Sequence, residues 1–284
     1  MVKYEQVVIV GVGLLGGSLG LALRNRQLAR RVVGVGRSPS RLEQAIQLGA
    51  VDDGTPDLKS AVATADLVVM CSPVQSIIGS LEDCLSSTRA LVTDVGSTKV
   101  SICERASEIL GAASTSQMGR FVGSHPLAGS EKVGVQNASG DLFVDRTCVL
   151  TPLPETPAAD VDELRLFWEA VGSRVLQLSP AEHDKSIACT SHLPHILASA
   201  LAGTTPDELL PLAASGWLDT TRIAGGNPQM WQEIIAENRE AISAALQSYS
   251  DELTRWLAAI DAGDDQSIHQ MLVQGKEQRD SVGS

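Results

Sequence analysis

The 284-residue sequence is poor in aromatic side chains and in basic ones. Aromatic residues make up 3% of the chain, and 22 Lys and Arg stand against 34 Asp and Glu, for a net charge of −12. Only six of the basic residues follow residue 178, against 15 acidic ones. A surface of this sign repels phosphate backbones and anionic lipid, and few aromatic rings are left to stack on bases. The composition therefore argues against a nucleic-acid partner.

The chain also lacks a disulfide pattern and a membrane-spanning run. Its five cysteines are odd in number and include no C-x-x-C pair, which is typical of a reducing compartment. No stretch approaches the roughly 20 apolar residues of a membrane helix. The apolar run near the N-terminus is followed by regularly spaced glycines and no cleavage pattern, unlike a signal peptide. These absences predict a cytoplasmic protein with no membrane partner.

Short Val/Ile/Leu runs alternate with helical patterns over the first 178 residues. The predicted strands cover 7–12, 31–36, 66–73, 90–95 and 120–126, followed by CVLTP and RVLQLSP. Continuous apolar runs separated by helices are typical of a parallel sheet that is covered on both faces. From Ser179 the pattern is helical almost to the end, and Ser179 and Glu182 form a capping box. We predict an α/β fold, with a Rossmann-type doubly wound, mostly parallel sheet over 1–178 and an all-helical domain over 179–284.

A glycine motif follows the first predicted strand. Gly11, Gly13 and Gly16 have the G-x-G-x-x-G spacing between a strand and a helix, where it is a dinucleotide-binding fingerprint. Such glycines let backbone amides and a helix N-terminus approach a pyrophosphate. We therefore expect cofactor contacts from Gly11, Gly13, Leu14, Leu15 and Gly16. The alternative is a glycine-rich turn that binds no ligand.

The second predicted strand ends without the acidic residue that usually holds the ribose hydroxyls of NAD. Gly36 is followed by Arg37 and Ser38 instead, which offer a cation and a hydroxyl to a 2′-phosphate. We predict that NADP is favoured and that NAD is possible. The alternative is that Arg37 is a solvated loop residue.

Candidate chemical groups follow the later strands, whose carboxyl ends face the ligand crevice in such a sheet. Ser72 and Pro73 end the third, after DLVVMC, and Pro73 gives a rigid turn where the nicotinamide is expected. Ser97 follows the fourth, although it could equally cap the next helix. His125 lies at the end of the fifth, after RFVGS, and imidazole titrates near neutrality, which suits proton abstraction during hydride transfer. The alternative for His125 is a purely structural role.

The helical part adds two histidines and an arginine. His192 and His195 share one helix face, beside a kink expected at Pro194. No third ligand has matching spacing, so we predict polar contacts to a substrate rather than a metal site. Arg222 lies in a Gly/Pro-rich break and suits a bidentate clamp on a carboxylate. The alternative is an ion pair with Asp219 or another acid.

Five segments occur in an order that resembles one family. They are GVGLLGGS, DVGSTK, GSHPLAGSEKVG, SHLPH and TTRIAGGNPQMW. Together they resemble the prephenate/arogenate dehydrogenases of tyrosine biosynthesis over nearly the whole chain, and all but the glycine motif are specific. The resemblance implies NAD(P)-dependent oxidative decarboxylation of prephenate or arogenate, to 4-hydroxyphenylpyruvate or tyrosine. It also implies a homodimer formed through the helical domain.

The resemblance implies a role for each matching residue. His125 matches the catalytic histidine that accepts the proton of the ring hydroxyl, and Ser97 matches the serine that orients this histidine. Arg222 matches the arginine that binds a substrate carboxylate. The remaining substrate-binding residues are the paired pocket histidines His192 and His195, the gate residue Glu131 with the adjacent Lys132, and Trp231, which reaches towards the partner's site. For Met230 and Trp231, packing in the core is the alternative.

The resemblance is to monofunctional members, without a chorismate mutase or ACT module. Leu218 stands where some members have a lysine, so we expect that contact to be missing. Two other functions are compatible with a Rossmann domain followed by helices: an imine or hydroxyacid reductase, and a non-catalytic NADP-binding sensor. The residues leave open whether the substrate is prephenate or arogenate.

Overall fold

A six-stranded parallel sheet forms the N-terminal part of the protein. The computed structural model describes residues 4–112, 118–129 and 132–282. The strands are β1 (Tyr4–Val10), β2 (Ala29–Val35), β3 (Asp53–Thr55), β4 (Leu67–Met70), β5 (Leu91–Asp94) and β6 (Arg120–Phe121). Their order, β3-β2-β1-β4-β5-β6, is that of the doubly wound fold, with the switch point between β1 and β4. The predicted fold class is therefore confirmed, although the short β3 was not predicted.

Helices cover both faces of this sheet. They are α1 (Leu14–Asn25), α2 (Pro39–Gln47), α3 (Leu58–Val62), α4 (Val74–Ser86) and α5 (Val100–Ala112). Val7 and Ile9 of β1 belong to one apolar cluster, and Val8 and Val10 to a second. Successive side chains of a strand point to opposite faces. A strand that is buried on both faces must be apolar throughout, which explains the continuous runs in the sequence.

A second sheet of three strands carries His125. It consists of β7 (Gly123–Pro126), β8 (Thr147–Thr151) and β9 (Arg174–Gln177), with α6 (Ala158–Val171) between β8 and β9. β7 is antiparallel to β8, and β8 is parallel to β9. The strand predicted over 120–126 is present but divided in two, because the chain leaves the parallel sheet after β6. Gly123 allows the close approach to β8, since a Cβ there would lie 2.4 Å from Thr151 Oγ1.

From Ser179 onward the structure is helical, as predicted. The helices are α7 (Pro180–Ile187), α8 (Leu193–Thr204), α9 (Ser215–Thr221), α10 (Pro228–Glu237), α11 (Arg239–Ala262) and α12 (Asp265–Ser281). Short 3-10 turns at Asp207–Leu212 and Arg222–Gly225 occupy the two predicted breaks. The capping box of Ser179 and Glu182 is present.

Close to Pro194, where a kink is expected, the structure has a π-turn at Ala188–His192, between α7 and α8. The Leu193 N–H donates to the Ala188 carbonyl, five residues earlier. Pro194 has no N–H to give to the Thr190 carbonyl, so the regular ladder is interrupted at this point.

By its contacts the chain forms two compact units, Met1–Asn238 and Arg239–Ser284. Every predicted site residue that the structure describes lies in the first unit. The predicted domain boundary after residue 178 stays a prediction. Among the helices of the described ranges, none is long and apolar enough to cross a membrane.

Candidate active site

The glycine motif lies between β1 and α1, beside the chain that leaves β4. Gly11 has a φ of +102°, and a Cβ there would lie 2.9 Å from the Cys71 carbonyl oxygen. A Cβ at Gly16 would lie 2.0 Å from the Gly11 carbonyl oxygen. A Cβ at Gly13, in contrast, would meet no atom within 4 Å. The motif is therefore closely packed on the protein side and open on the other.

The start of α1 offers backbone donors to an anion. Gly13 precedes the helix, and no side chain from the described part of the protein caps it. Leu14 and Leu15 follow and are partly exposed. The free N–H groups and the dipole of a helix N-terminus suit a phosphate. These residues fit the pyrophosphate of a dinucleotide.

The other predicted cofactor residues lie at the same edge of the sheet. Arg37 is exposed and forms no ion pair with any residue of the described ranges. Ser38 precedes α2. The Ser72 hydroxyl donates to the Val10 carbonyl at 3.2 Å, and Pro73 precedes α4. The predicted residues thus surround the carboxyl ends of β1, β2 and β4.

His125 is anchored at this edge through the residue before it. The buried Ser124 hydroxyl donates to the Asp94 carbonyl at 2.6 Å and accepts from the Trp168 indole N–H at 3.1 Å. Thr93 Oγ1 lies 2.8 Å from the same hydroxyl. Because Asp94 ends β5, these bonds hold His125 at the carboxyl edge of the parallel sheet.

A second histidine, which the sequence reasoning missed, contacts His125. His125 Nδ1 lies 2.9 Å from His183 Nε2, and His183 Nδ1 lies 2.7 Å from Asp184 Oδ1. His183 is fully buried and Asp184 nearly so. The sequence signal is one His-Asp pair near the start of α7, 58 residues from His125. Such a pair is too common to indicate a site.

Asp184 also binds the start of α5. Its Oδ1 accepts from the Lys99 N–H at 2.7 Å, and its Oδ2 accepts from the Val100 N–H at 2.9 Å. The fully buried Lys99 ammonium donates to the Ser124 carbonyl at 3.0 Å and pairs with the Asp94 carboxylate. This lysine therefore links the start of α5 to the strand that carries His125.

Ser97 lies in the loop between β5 and α5 and is half-buried. The alternative that it caps the next helix is wrong, because α5 begins at Val100 and Asp184 binds its first amides. Ser97 makes no hydrogen bond to the residues that the structure describes. Its role in orienting His125 stays a prediction.

The surroundings of His125 favour its neutral form. Burial, followed by the positive charges that His183, Lys99 and His192 can carry, lowers the pKa of His125 well below the ordinary value for imidazole. Its Nε2 makes no hydrogen bond within the described ranges. A neutral imidazole with one free ring nitrogen is suited to accept a proton.

His192 and Asn238 extend this network. The Asn238 amide donates to the Asp184 carbonyl at 2.7 Å and lies 3.2 Å from His192 Nδ1. Burial lowers the pKa of His192 to about 4. Its Nε2 is buried and has no hydrogen-bond partner among the described residues. An orphaned buried polar atom of this kind is unusual and points to a ligand.

His195 has the same property. Its ring stacks on Trp231, with 3.6 Å between the ring centroids and 9° between the planes. Its buried Nδ1 has no partner in the described part of the chain, and burial lowers its pKa. Met230 is 47% exposed, and Trp231, which packs on His195, is partly exposed; a role for this pair beyond packing stays a prediction. Within the described ranges, no group of three or more His, Cys, Asp or Glu residues could hold a metal ion.

Arg222 begins the 3-10 turn Arg222–Gly225, which packs against α8. It is exposed and makes no ion pair with Asp219 or with any other described residue, so the salt-bridge alternative is not observed. Lys132 is exposed. The predicted gate residue, Glu131, lies outside the described residues.

A doubly wound sheet with an open glycine motif, and a histidine of lowered pKa at the same edge, is the arrangement expected of a dehydrogenase of the dinucleotide-binding class. Comparison with known proteins identifies the family. The model "Prephenate dehydrogenase, nucleotide-binding domain" matches residues 19–177. The model "Prephenate dehydrogenase, dimerization domain" matches residues 179–274. The chain belongs to the prephenate dehydrogenase family, which confirms the resemblance.

Individual relatives are similar over nearly the whole chain. Prephenate dehydrogenase of Bacillus subtilis strain 168 is 31% identical over 98% of this chain and 76% of the relative. The structure of prephenate dehydrogenase from A. aeolicus, in complex with hydroxyphenyl propionate and NAD+, has a TM-score of 0.89 at 31% identity, covering 98% of each chain. Synechocystis arogenate dehydrogenase has a TM-score of 0.82 at 33% identity, covering 98% of this chain and 100% of the other. Membership of this family favours an enzyme over the sensor and over the other reductases.

Proposed function

We propose that the protein oxidatively decarboxylates a cyclohexadienyl substrate, prephenate or arogenate, and that it prefers NADP. The observation that carries the proposal is His125. Burial lowers the pKa of its ring, its Nε2 has no hydrogen-bond partner among the described residues, and it lies at the sheet edge that carries the glycine motif. The products are 4-hydroxyphenylpyruvate from prephenate and tyrosine from arogenate.

His125 acts on the hydroxyl of the substrate ring. Its Nε2 accepts the hydroxyl proton, which favours departure of a hydride from the carbon that carries this hydroxyl. The nicotinamide, when bound, supplies the hydride acceptor. Loss of the ring carboxylate as carbon dioxide returns an electron pair through the ring to the same oxygen, which takes the proton back from His125. The ring becomes aromatic, and His125 regains its neutral form.

Three groups support the binding of a substrate that carries two carboxylates. His192 and His195 each have a buried ring nitrogen without a partner in the described chain. Arg222 is exposed and unpaired there, so its guanidinium is available for a bidentate bond to a carboxylate. Ser97, Glu131, Lys132 and Trp231 complete the proposed site.

The preference for NADP is the finer part of the proposal. It is supported by Arg37, which stands after β2 where an acid would select NAD and which has no ion-pair partner in the described ranges. A 2′-phosphate would supply the missing anion. The alternative is a solvated loop arginine, and steady-state assays with both cofactors separate the two.

We also propose a homodimer formed through a helical domain over 179–284, with the nucleotide-binding domain over 1–178. Leu253, Leu257 and Ile260 lie on one face of α11 and are each more than half exposed. Contiguous exposed apolar residues of this kind mark interaction surfaces. Sedimentation equilibrium tests this, since a single monomeric species would contradict it. The cytoplasmic location stays a prediction.

Steady-state assays of both substrates with both cofactors test the proposed function. We expect turnover of at least one substrate, with a higher kcat/KM for NADP than for NAD. Arg37→Ala should lower the kcat/KM for NADP about tenfold, as for a lost charged hydrogen bond, and leave that for NAD unchanged. No turnover of either substrate would contradict the function. Equal or better efficiency with NAD would contradict only the role of Arg37.

A further inference from the structure

His125 has two ring nitrogens, and its use as a base depends on which of them carries the proton. A neutral imidazole has one N–H and one bare nitrogen. His125 Nδ1 contacts His183, while Nε2 is the nitrogen without a partner in the described chain. Nε2 accepts a proton from substrate only if the resting proton is on Nδ1. The neighbours of Nδ1 therefore decide whether the base is ready.

Asp184 determines which ring nitrogen of His183 carries the hydrogen. Its two carboxylate oxygens accept the backbone N–H groups of Lys99 and Val100, at the positive end of the α5 dipole. An ionised carboxylate has no hydrogen to donate. The short contact between Asp184 Oδ1 and His183 Nδ1 therefore requires that His183 Nδ1 carry the hydrogen.

The tautomer of His183 in turn determines the tautomer of His125. In a neutral ring with its hydrogen on Nδ1, Nε2 is an acceptor only. The 2.9 Å contact between His183 Nε2 and His125 Nδ1 then requires the hydrogen of His125 to be on Nδ1. This leaves His125 Nε2 bare.

We propose that His183 and Asp184 are positioning residues that hold His125 in the Nδ1–H tautomer, so that it presents a bare Nε2 to the substrate hydroxyl. The proposal deepens the proposed function and rests on it. Among the described residues, the other titratable groups whose charge acts on His125 are Lys99 and His192. Lys99 is paired with Asp94, and His192 is bonded to Asn238, so neither competes for Nδ1.

The chain of contacts also accommodates the charged form of His125. When Nε2 takes the substrate proton, Nδ1 still donates to His183, and His183 still donates to the Asp184 carboxylate. The positive charge therefore develops two hydrogen bonds away from a fixed negative one. No donor has to be rotated during the reaction, which is the advantage of a preorganised site.

Nitrogen NMR of the full-length protein labelled with 15N-histidine tests the tautomer without substrate or cofactor. His125 is assigned by the signals that disappear in His125→Asn. We expect a protonated Nδ1 and a bare Nε2 near pH 7. A protonated Nε2 would overturn the proposal, whatever reaction the enzyme performs.

Three variants test the consequence for catalysis. His183→Leu removes the acceptor, and we expect kcat to fall about 100-fold, with KM changed less than about threefold. His183→Gln keeps a carboxamide oxygen as an acceptor, and we expect its kcat to be at least about tenfold higher than that of His183→Leu. His269→Leu, at an exposed histidine of α12, should match the wild type.

Thermal unfolding of each variant separates positioning from folding. The proposal is overturned if folded His183→Leu keeps the wild-type kcat, or if His183→Gln turns over no faster than His183→Leu. If His183→Leu does not fold, the NMR spectra of the wild type and of His183→Gln decide, because both should show the bare Nε2. Absence of turnover in the wild type would instead contradict the proposed function alone.

Discussion

The cofactor end and the chemical end of the candidate site are built differently. At the cofactor end, Gly11, Gly13 and Gly16 shape a backbone surface within one turn between β1 and α1. At the chemical end, His125 depends on side chains from α7, including His183, 58 residues away. A backbone site of this kind needs small residues at a fixed spacing, whereas a side-chain network needs the whole fold. The two ends should therefore respond differently to substitution.

The largest expected effect is a loss of turnover caused by a substitution at the chemical end. His125→Asn should lower kcat by at least about 100-fold, because the proton acceptor is lost, while KM stays nearly unchanged. Steady-state kinetics with the better substrate measures this, and the dissociation constant of the cofactor serves as the control. Near-normal turnover would show that His125 is not the proton acceptor. It would also contradict the distinction between the two ends.

At the cofactor end, one glycine substitution should lower the stability of the fold, and another should weaken cofactor binding. Gly16→Ala puts a Cβ 2.0 Å from the Gly11 carbonyl oxygen, which is backbone and cannot swing away. We expect a loss of about 2 kcal/mol or more in the free energy of unfolding. Gly13→Ala adds a Cβ in open space, so stability should change by less than about 0.5 kcal/mol while NADP binds more weakly.

Urea unfolding and cofactor titration of both glycine variants check this pair. Equal loss of stability in the two would show that the open side of the motif is packed after all. Unchanged NADP affinity in Gly13→Ala would show that the cofactor does not approach this turn.

The buried histidines should make the chemical end sensitive to acid. The pKa of His192 is about 4 in the folded protein, against about 6.5 for an unperturbed histidine. Below pH 6.5, His192 binds a proton in the unfolded chain but not in the folded protein. The free energy of unfolding therefore falls as the pH is lowered. For His192 alone we expect a loss of about 1.5 kcal/mol between pH 6.5 and 5.

Urea unfolding at pH 6.5 and pH 5 measures this loss, and His192→Asn should remove the part due to His192. His269→Leu, at an exposed histidine, should leave the slope unchanged. His125 and His195 act in the same direction, because burial lowers the pKa of each. A slope that His192→Asn does not reduce would contradict the prediction.

The smallest expected effect is at the rim of the chemical end. Arg222→Gln should raise KM about tenfold, through loss of a charged hydrogen bond to a carboxylate, and leave kcat nearly unchanged. Arg255→Gln, at an exposed arginine that pairs with Glu252, is the matched control. An unchanged KM in Arg222→Gln would show that the guanidinium does not hold the substrate.

The sequence predicts features that depend on neighbours along the chain. The apolar runs of the parallel sheet, the glycine motif and the capping box at Ser179 are all of this kind, and each is present. The break in the strand over 120–126 was not predictable, because it depends on the close approach of Gly123 to β8. Two contacts were not predictable for the same reason: that of His183 with His125 and that of Asn238 with His192. In each, residues far apart in the sequence come together, and no local sequence pattern indicates this.

The π-turn at Ala188–His192 has an evolutionary consequence. Such a turn contains one residue more than a regular α-helical turn, as if a single codon had been inserted. Deleting one residue there would restore the regular helix and rotate everything beyond it by about 100°. His183 and Asp184 precede the turn, whereas His192 and His195 follow it. In a lineage that lost that one codon, His183 and Asp184 would be misaligned relative to His192 and His195.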